Sequence, residues 1–82
     1  MPIAGVLILT NIEEAQEVLV NLNTVENVTT YGIHKQNYII AVLEGDTPKS
    51  LEILSQSITN GISGVIGVYP TYVNYEDDEA EG

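Results

Sequence analysis

The chain has 82 residues, with two lysines against twelve acidic residues and a formal net charge of -10. It has no cysteine and one histidine, which excludes a disulfide framework, a thiolate nucleophile and a Cys/His metal cluster. The negative charge and the lack of a basic patch argue against nucleic acid as a partner and favour a cationic one.

The apolar runs of the chain are all shorter than the roughly 20 residues that a transmembrane helix needs. The first residues also lack the basic segment that begins a secretory signal peptide. The length suits one domain with one small core. We therefore expect a single domain that works in the cytoplasm and does not insert into a membrane.

The first predicted element is a strand from Ile3 to Thr10, in which seven of the eight residues have no polar side chain. Such a strand cannot have one face in water, so it belongs in the centre of a sheet with both faces covered. The protein's own helices would cover one face. We expect a second copy of the chain, or a client, to cover the other.

A short amphipathic helix is predicted after this strand. Asn11 can act as its N-cap, with Glu14 three residues later reaching back to the backbone N–H of Asn11. Apolar residues then recur at spacings of three and four and form one stripe that faces the sheet. That stripe consists of Ile12, Ala15, Val18, Leu19 and Leu22.

Two strands joined by a polar loop are predicted next. Residues 28–33 are rich in β-branched and aromatic side chains and indicate an edge strand, with a bulge at Gly32. Residues 34–37 are polar and indicate a hairpin loop. Residues 38–43 form a second, nearly continuous apolar run, which indicates the other central strand.

A second helix is predicted to begin at Thr47, because threonine is a good N-cap and Pro48 at the first helical position needs no N–H partner. Gly61 is expected to end this helix in a left-handed conformation. The predicted buried stripe is Leu51, Leu54 and Ile58, assisted by Ile53.

The last predicted strand covers residues 65–73. Pro70 cannot donate a hydrogen bond to a neighbouring strand, so this strand belongs at an edge of the sheet. Residues 76–82 are almost entirely acidic, and we expect a disordered tail there. The sequence therefore predicts a folded domain over residues 1–75 and an acidic tail over residues 76–82.

The predicted order is strand, helix, strand, strand, helix, strand, which is the α+β, ferredoxin-like split β-α-β arrangement (βαββαβ). It has one four-stranded antiparallel sheet. The two most apolar strands, the first and the third, belong in the middle of this sheet. Right-handed crossovers place both helices on one face, which leaves the other face open.

The alternation of side chains along each strand gives two candidate sets for this open face. In the last strand, the set that includes Gly67, Tyr69, Thr71 and Val73 mixes small and polar residues, as expected of a face that water reaches. We assign that set to the open face and choose the sets of the other strands to match. The residues predicted to bind a partner are Ile3, Gly5, Leu7, Leu9, Ile39, Ala41, Leu43, Gly67, Tyr69 and Thr71.

Three stretches of the chain resemble the NapD family, the small cytoplasmic chaperones of the periplasmic nitrate reductase catalytic subunit. They are Ile3-Ala4-Gly5-Val6-Leu7-Ile8 at the start, Tyr38-Ile39-Ile40-Ala41-Val42-Leu43-Glu44 followed by Asp46, and Gly64-Val65-Ile66-Gly67-Val68 leading to Tyr72 and the acidic tail. The resemblance covers essentially the full length and the order of elements.

The resemblance implies a chaperone that binds the twin-arginine signal peptide of the reductase precursor on the sheet face. It also implies that the chaperone delays export until the molybdenum cofactor is inserted, and that it is not an enzyme. Glu44, Asp46 and the carboxylates of the tail could attract the arginines from a distance. The peptide could bind as a helix across the sheet or as a strand added at an edge.

Two other classes of function compete with this hypothesis. The first is a dimeric ferredoxin-like regulatory module that holds a small metabolite between its subunits, and a homodimer through the open face is a related alternative. The second is a small ferredoxin-like enzyme, but the sequence offers only tyrosines as polar groups for a closed cavity. We therefore predict no catalytic residue, no metal ligand and no cofactor.

Overall fold

The alternation of buried and half-buried side chains in the first strand shows where the core lies. In a computed structural model, which describes residues 2–74, every second residue of this strand is buried. The elements are β1 (Ile3–Thr10), α1 (Ala15–Leu22) after a 3-10 turn (Ile12–Glu14), β2 (Val28–His34), β3 (Tyr38–Glu44), α2 (Pro48–Gly61) and β4 (Val65–Asn74). The acidic tail predicted over residues 76–82 lies outside the described residues.

The four strands form one antiparallel sheet in the order β2-β3-β1-β4. The α+β, ferredoxin-like fold predicted from the sequence is therefore confirmed, with the two most apolar strands in the middle and Pro70 on an edge strand. One face of the sheet packs against α1 and α2. The core beneath the helices is formed by Ala4, Val6, Ile8, Val18, Leu22, Ile39, Ala41, Leu43, Leu51 and Ile58.

The start of the first helix differs from the prediction. The side chain of Asn11 accepts no hydrogen bond from the backbone of this turn, and its Nδ2 donates to Glu14 Oε1 at 2.8 Å. The chain forms a 3-10 turn there, and Ile12, predicted to be in the buried stripe, is 59 % exposed. The remaining helix is therefore only eight residues long.

The second helix begins as predicted and ends differently. Thr47 Oγ1 accepts a hydrogen bond from the backbone N–H of Ser50 at 3.0 Å, and Pro48 occupies the first helical position. Ile53 is exposed instead of assisting the buried stripe. Gly61 stays helical, and the left-handed residue after the helix is Gly64, with φ 98°.

Both edge strands are interrupted by bulges. In β2, the register shifts between Thr30 and Ile33, so that Tyr31 and the left-handed Gly32 both lie opposite one residue of β3. This confirms the bulge predicted at Gly32. In β4, the register shifts once near Ile66 and again after Pro70. The second shift changes which residues of β4 face the helices.

Candidate functional site

Within residues 2–74, one face of the sheet carries no helix, and we call it the open face. Its central residues are half-buried, because they pack only against their neighbours in the sheet. Strand pairing and alternation place on it Ile3, Gly5, Leu7 and Leu9 of β1; Tyr38, Ile40, Val42 and Glu44 of β3; Thr29, Tyr31 and His34 of β2; and Gly67, Tyr69, Thr71 and Tyr72 of β4.

The prediction for β1 agrees with the structure, and the prediction for β3 is wrong. Ile39, Ala41 and Leu43 were predicted to lie on the open face, but they are at most 1 % exposed and belong to the core under the helices. Residues directly opposite each other in a sheet point to the same face. Ala41 lies opposite the buried Val6, so its whole set faces the helices.

The open-face residues of β3 are instead Tyr38, Ile40, Val42 and Glu44. Both sets in this strand are apolar in their middle, so hydrophobicity does not distinguish them. A signal was nevertheless present in the sequence, because the set that begins with Tyr38 and ends with Glu44 has polar groups at both ends. A residue with an exposed polar end suits the face that the helices leave open.

The prediction for β4 agrees up to the bulge. Gly67 and Tyr69 lie opposite Leu9 and Leu7 and therefore share their face. Beyond the bulge, Tyr72 lies opposite Gly5, and the Oγ1 of Thr71 donates a hydrogen bond to the backbone oxygen of Gly5 at 3.1 Å.

Val73, by contrast, was assigned to the open face and lies opposite Ala4, on the helix side. The extra residue of the bulge reversed the alternation, which the sequence pattern does not reveal.

The middle of the open face is an apolar surface, which we call the trough, formed by Leu7, Leu9, Ile40 and Val42. Tyrosines surround it: Tyr31, Tyr69 and Tyr72 are each more than half exposed, and Tyr38 is half-buried. A tyrosine ring combines a large apolar area with a polar end and loses little conformational entropy on binding. Such residues are enriched where proteins bind other chains.

Two glycines of the open face differ in what lies above them. A Cβ atom added to Gly67 would lie 2.6 Å from the hydroxyl oxygen of Tyr69, so the Tyr69 ring covers this position. A Cβ atom added to Gly5 would lie 3.5 Å from Thr71 Oγ1 and 3.6 Å from Tyr72 Cβ, which are ordinary contacts. Gly5 therefore leaves room for a methyl-sized group in contact with Thr71 and Tyr72, which we call the open dent, whereas the position above Gly67 is covered.

The two ends of the open face differ in charge. Glu44 lies opposite Ile3 at one end, and the loops next to it carry the exposed Glu26 and Asp46. His34 lies opposite Tyr38 at the other end, beside Lys35 in the turn. On the open face itself, a carboxylate therefore lies at the Ile3 end and an imidazole at the other end.

Other candidate sites are weaker. Within residues 2–74, no group of three or more histidine, aspartate or glutamate side chains is placed to hold a metal ion. A hollow of about 320 Å³ lies on the helix side, between α2 and the end of β4, and is lined by core residues such as Val6 and by polar residues of α2 such as Glu52. None of the helices in this described part of the chain is long and apolar enough to span a membrane.

A protein-family model matches nearly the whole chain. The family model described as NapD protein matches residues 1–77. Comparison with curated proteins and comparison with solved structures gave no match.

Proposed function

Because the chain belongs to the NapD family of nitrate reductase maturation chaperones, we propose that its open face binds the twin-arginine signal peptide of a periplasmic nitrate reductase precursor. In this proposal, the protein holds the precursor in the cytoplasm and delays its export until the molybdenum cofactor is inserted. The observation that carries the proposal is an apolar, tyrosine-lined sheet face, left without a helix on a strongly acidic protein.

The chemistry of this face suits such a peptide. A twin-arginine signal peptide joins a basic segment to a moderately apolar one, and the open face joins an acidic end to an apolar trough. A second copy of the chain fits less well, because each copy has a net charge of -10 and the two would repel each other. Charge complementarity therefore favours the basic peptide over a homodimer.

The expected free energy of apolar burial is too small to select a peptide by itself, so charge should decide which peptide binds tightly. Covering about 400 Å² of apolar surface would contribute roughly 10 kcal/mol at about 25 cal/mol per Å². Association costs of about 4 to 15 kcal/mol offset much of this gain. An apolar peptide without arginines would therefore bind weakly, and the charged end of the face would select the basic one.

The edges of the sheet favour binding across the face over addition of a strand. Strand addition needs a row of unbroken backbone donors and acceptors. On β4, Pro70 has no N–H, and register shifts limit the regular stretch around it to Gly67–Pro70. On β2, the bulge at Gly32 interrupts the strand after three residues. We therefore infer that the peptide lies on the open face.

Titration calorimetry tests the proposal with a synthetic peptide that has two adjacent arginines followed by an apolar segment of about 12 residues. Between 0.1 M and 1 M salt the Debye length falls from about 10 Å to about 3 Å, so the affinity should fall. Leu7→Glu should abolish binding, whereas the matched variant Val20→Glu, on the exposed face of α1, should bind normally. Absence of any binding heat or NMR shift change at either salt concentration would refute the proposal.

The effect on export needs a measurement in cells. A reporter protein fused to the signal peptide should be exported more slowly when this protein is co-produced, and Leu7→Glu should restore the rate. If Leu7→Glu slows export as much as the unchanged protein does, the open face is not what delays it.

A further inference from the structure

Three features of the open face come together at its Ile3 end. Glu44 lies opposite Ile3 and is exposed. In the next row, Gly5 lies between Val42 and Tyr72, and it provides the open dent of the trough. Tyr72 borders this dent with its Cβ atom, and the residue is 57 % exposed. We call Gly5, Glu44 and Tyr72 the Gly5 corner.

The spacing of this corner suits one extended cationic side chain. Val42 and Glu44 are successive same-face residues of β3, which lie about 7 Å apart along a strand. A side chain whose stem rests in the dent between Val42 and Tyr72 can therefore reach the carboxylate of Glu44. The stem of an arginine is apolar, and its planar guanidinium pairs with a carboxylate and stacks on aromatic rings.

We propose that the Gly5 corner seats one arginine of the signal peptide, which fixes the direction in which the peptide lies. Its basic segment occupies the Ile3 end, and its apolar segment runs over Leu7 and Leu9 toward Tyr38. This inference rests on the proposed function. It names the residues that contact an arginine and the direction in which the peptide lies. Peptide binding to the open face does not by itself require either.

The opposite end of the face does not suit an arginine. His34 and Lys35 lie there, and Lys35 would repel a guanidinium. The corresponding dent at Gly67 is covered by the Tyr69 ring. The reverse peptide direction would therefore place the arginines beside a cation and the apolar segment beside a carboxylate.

Two variants test the corner, each measured by calorimetry with the twin-arginine peptide described above. Glu44→Gln should weaken binding about fivefold, because the loss of one exposed ion pair lowers an affinity by up to about that factor. Glu17→Gln makes the same change of net charge on α1, on the other side of the molecule, and should leave the affinity within a factor of about 1.5. Equal effects of the two variants would overturn the proposal, since only net charge would then matter.

Gly5→Ala tests the dent separately from the charge. The added methyl group makes only ordinary contacts in the free protein, so the fold should be kept while the dent is filled. We expect about threefold weaker binding of the arginine peptide. If the affinity for the arginine peptide is unchanged, the dent at Gly5 does not contribute to the binding site.

A nitroxide spin label beside the arginines of the bound peptide tests its direction. The label should broaden the amide NMR signals of Gly5, Glu44 and Tyr72 and spare those of His34 and Tyr38. Broadening at His34 and Tyr38 instead would overturn the inferred direction and leave the proposed function standing. Failure of the peptide to bind at all would refute the proposed function, and this inference with it.

Discussion

The two faces of β1 have nearly the same composition and very different surroundings. Ala4, Val6 and Ile8 are buried under the helices, whereas Leu7 and Leu9 on the other face are only half-buried. The difference comes from the helices alone, since both sets are aliphatic. A strand that is equally apolar on both faces, in a sheet with helices on one side only, therefore indicates a surface kept for a partner.

Placing a charge on each face of β1 should give opposite results. Val6→Glu buries an unpaired carboxylate in the core, which costs about 5 kcal/mol or more. That is comparable to the total stability of a domain of this size, about 4 to 12 kcal/mol, so this variant should be unfolded. Leu7→Glu should remain folded and lose peptide binding. Circular dichroism with urea unfolding measures both, and a folded Val6→Glu would reverse our assignment of the faces.

Adjacent residues of β3 should show the same contrast without any charge. Ile39 is fully buried and Ile40 is on the open face. Ile39→Ala should lower the free energy of unfolding by about 3 kcal/mol, because it leaves a cavity in the core. Ile40→Ala should cost about 1 kcal/mol, since water can fill the space. Urea unfolding of both variants checks the corrected face assignment, and equal losses would contradict it.

The sequence was sufficient for the order of elements and for the strand order, because these follow from runs of apolar residues and from Pro70. It was not sufficient for the faces of β3. Alternation defines two sets in each strand, but only the pairing register says which sets of neighbouring strands share a face. In β3 both sets are apolar in their middle, so only the polar groups of Tyr38 and Glu44 at the two ends distinguish them.

The sequence pattern does not reveal the Gly5 corner, for a related reason. The predicted open face held Val73, and the bulge after Pro70 replaces it with Tyr72. A bulge adds one residue and leaves the composition unchanged, so periodicity gives no sign of it. The sequence alone gives Glu44 only a long-range attraction for arginines. The register places it opposite Ile3, one row from Gly5, which makes it a specific candidate partner.

The hydrogen bond across the bulge should make a modest contribution to the stability of the domain. Thr71→Val removes the bond from Thr71 Oγ1 to the backbone oxygen of Gly5 and should lower stability by about 1 kcal/mol. Thr29→Val, exposed on the same face at the other edge strand, measures the general effect of replacing a hydroxyl by a methyl group there. If both variants lose the same stability in thermal unfolding, the bond across the bulge contributes nothing of its own.

Gly5→Ala and Gly67→Ala should differ little in stability, but only Gly67→Ala should move the Tyr69 ring. Alanine at either position reduces the conformational entropy of the unfolded chain, a gain of about 0.5 kcal/mol. At Gly5 this gain should be kept, because the methyl group meets only ordinary contacts. At Gly67 the methyl group must displace the Tyr69 ring, which should cancel the gain. NMR shifts of the Tyr69 ring should therefore change strongly in Gly67→Ala and little in Gly5→Ala. Unchanged ring shifts in Gly67→Ala would mean that the ring does not lie over Gly67 in solution, and both dents would then be open to a peptide.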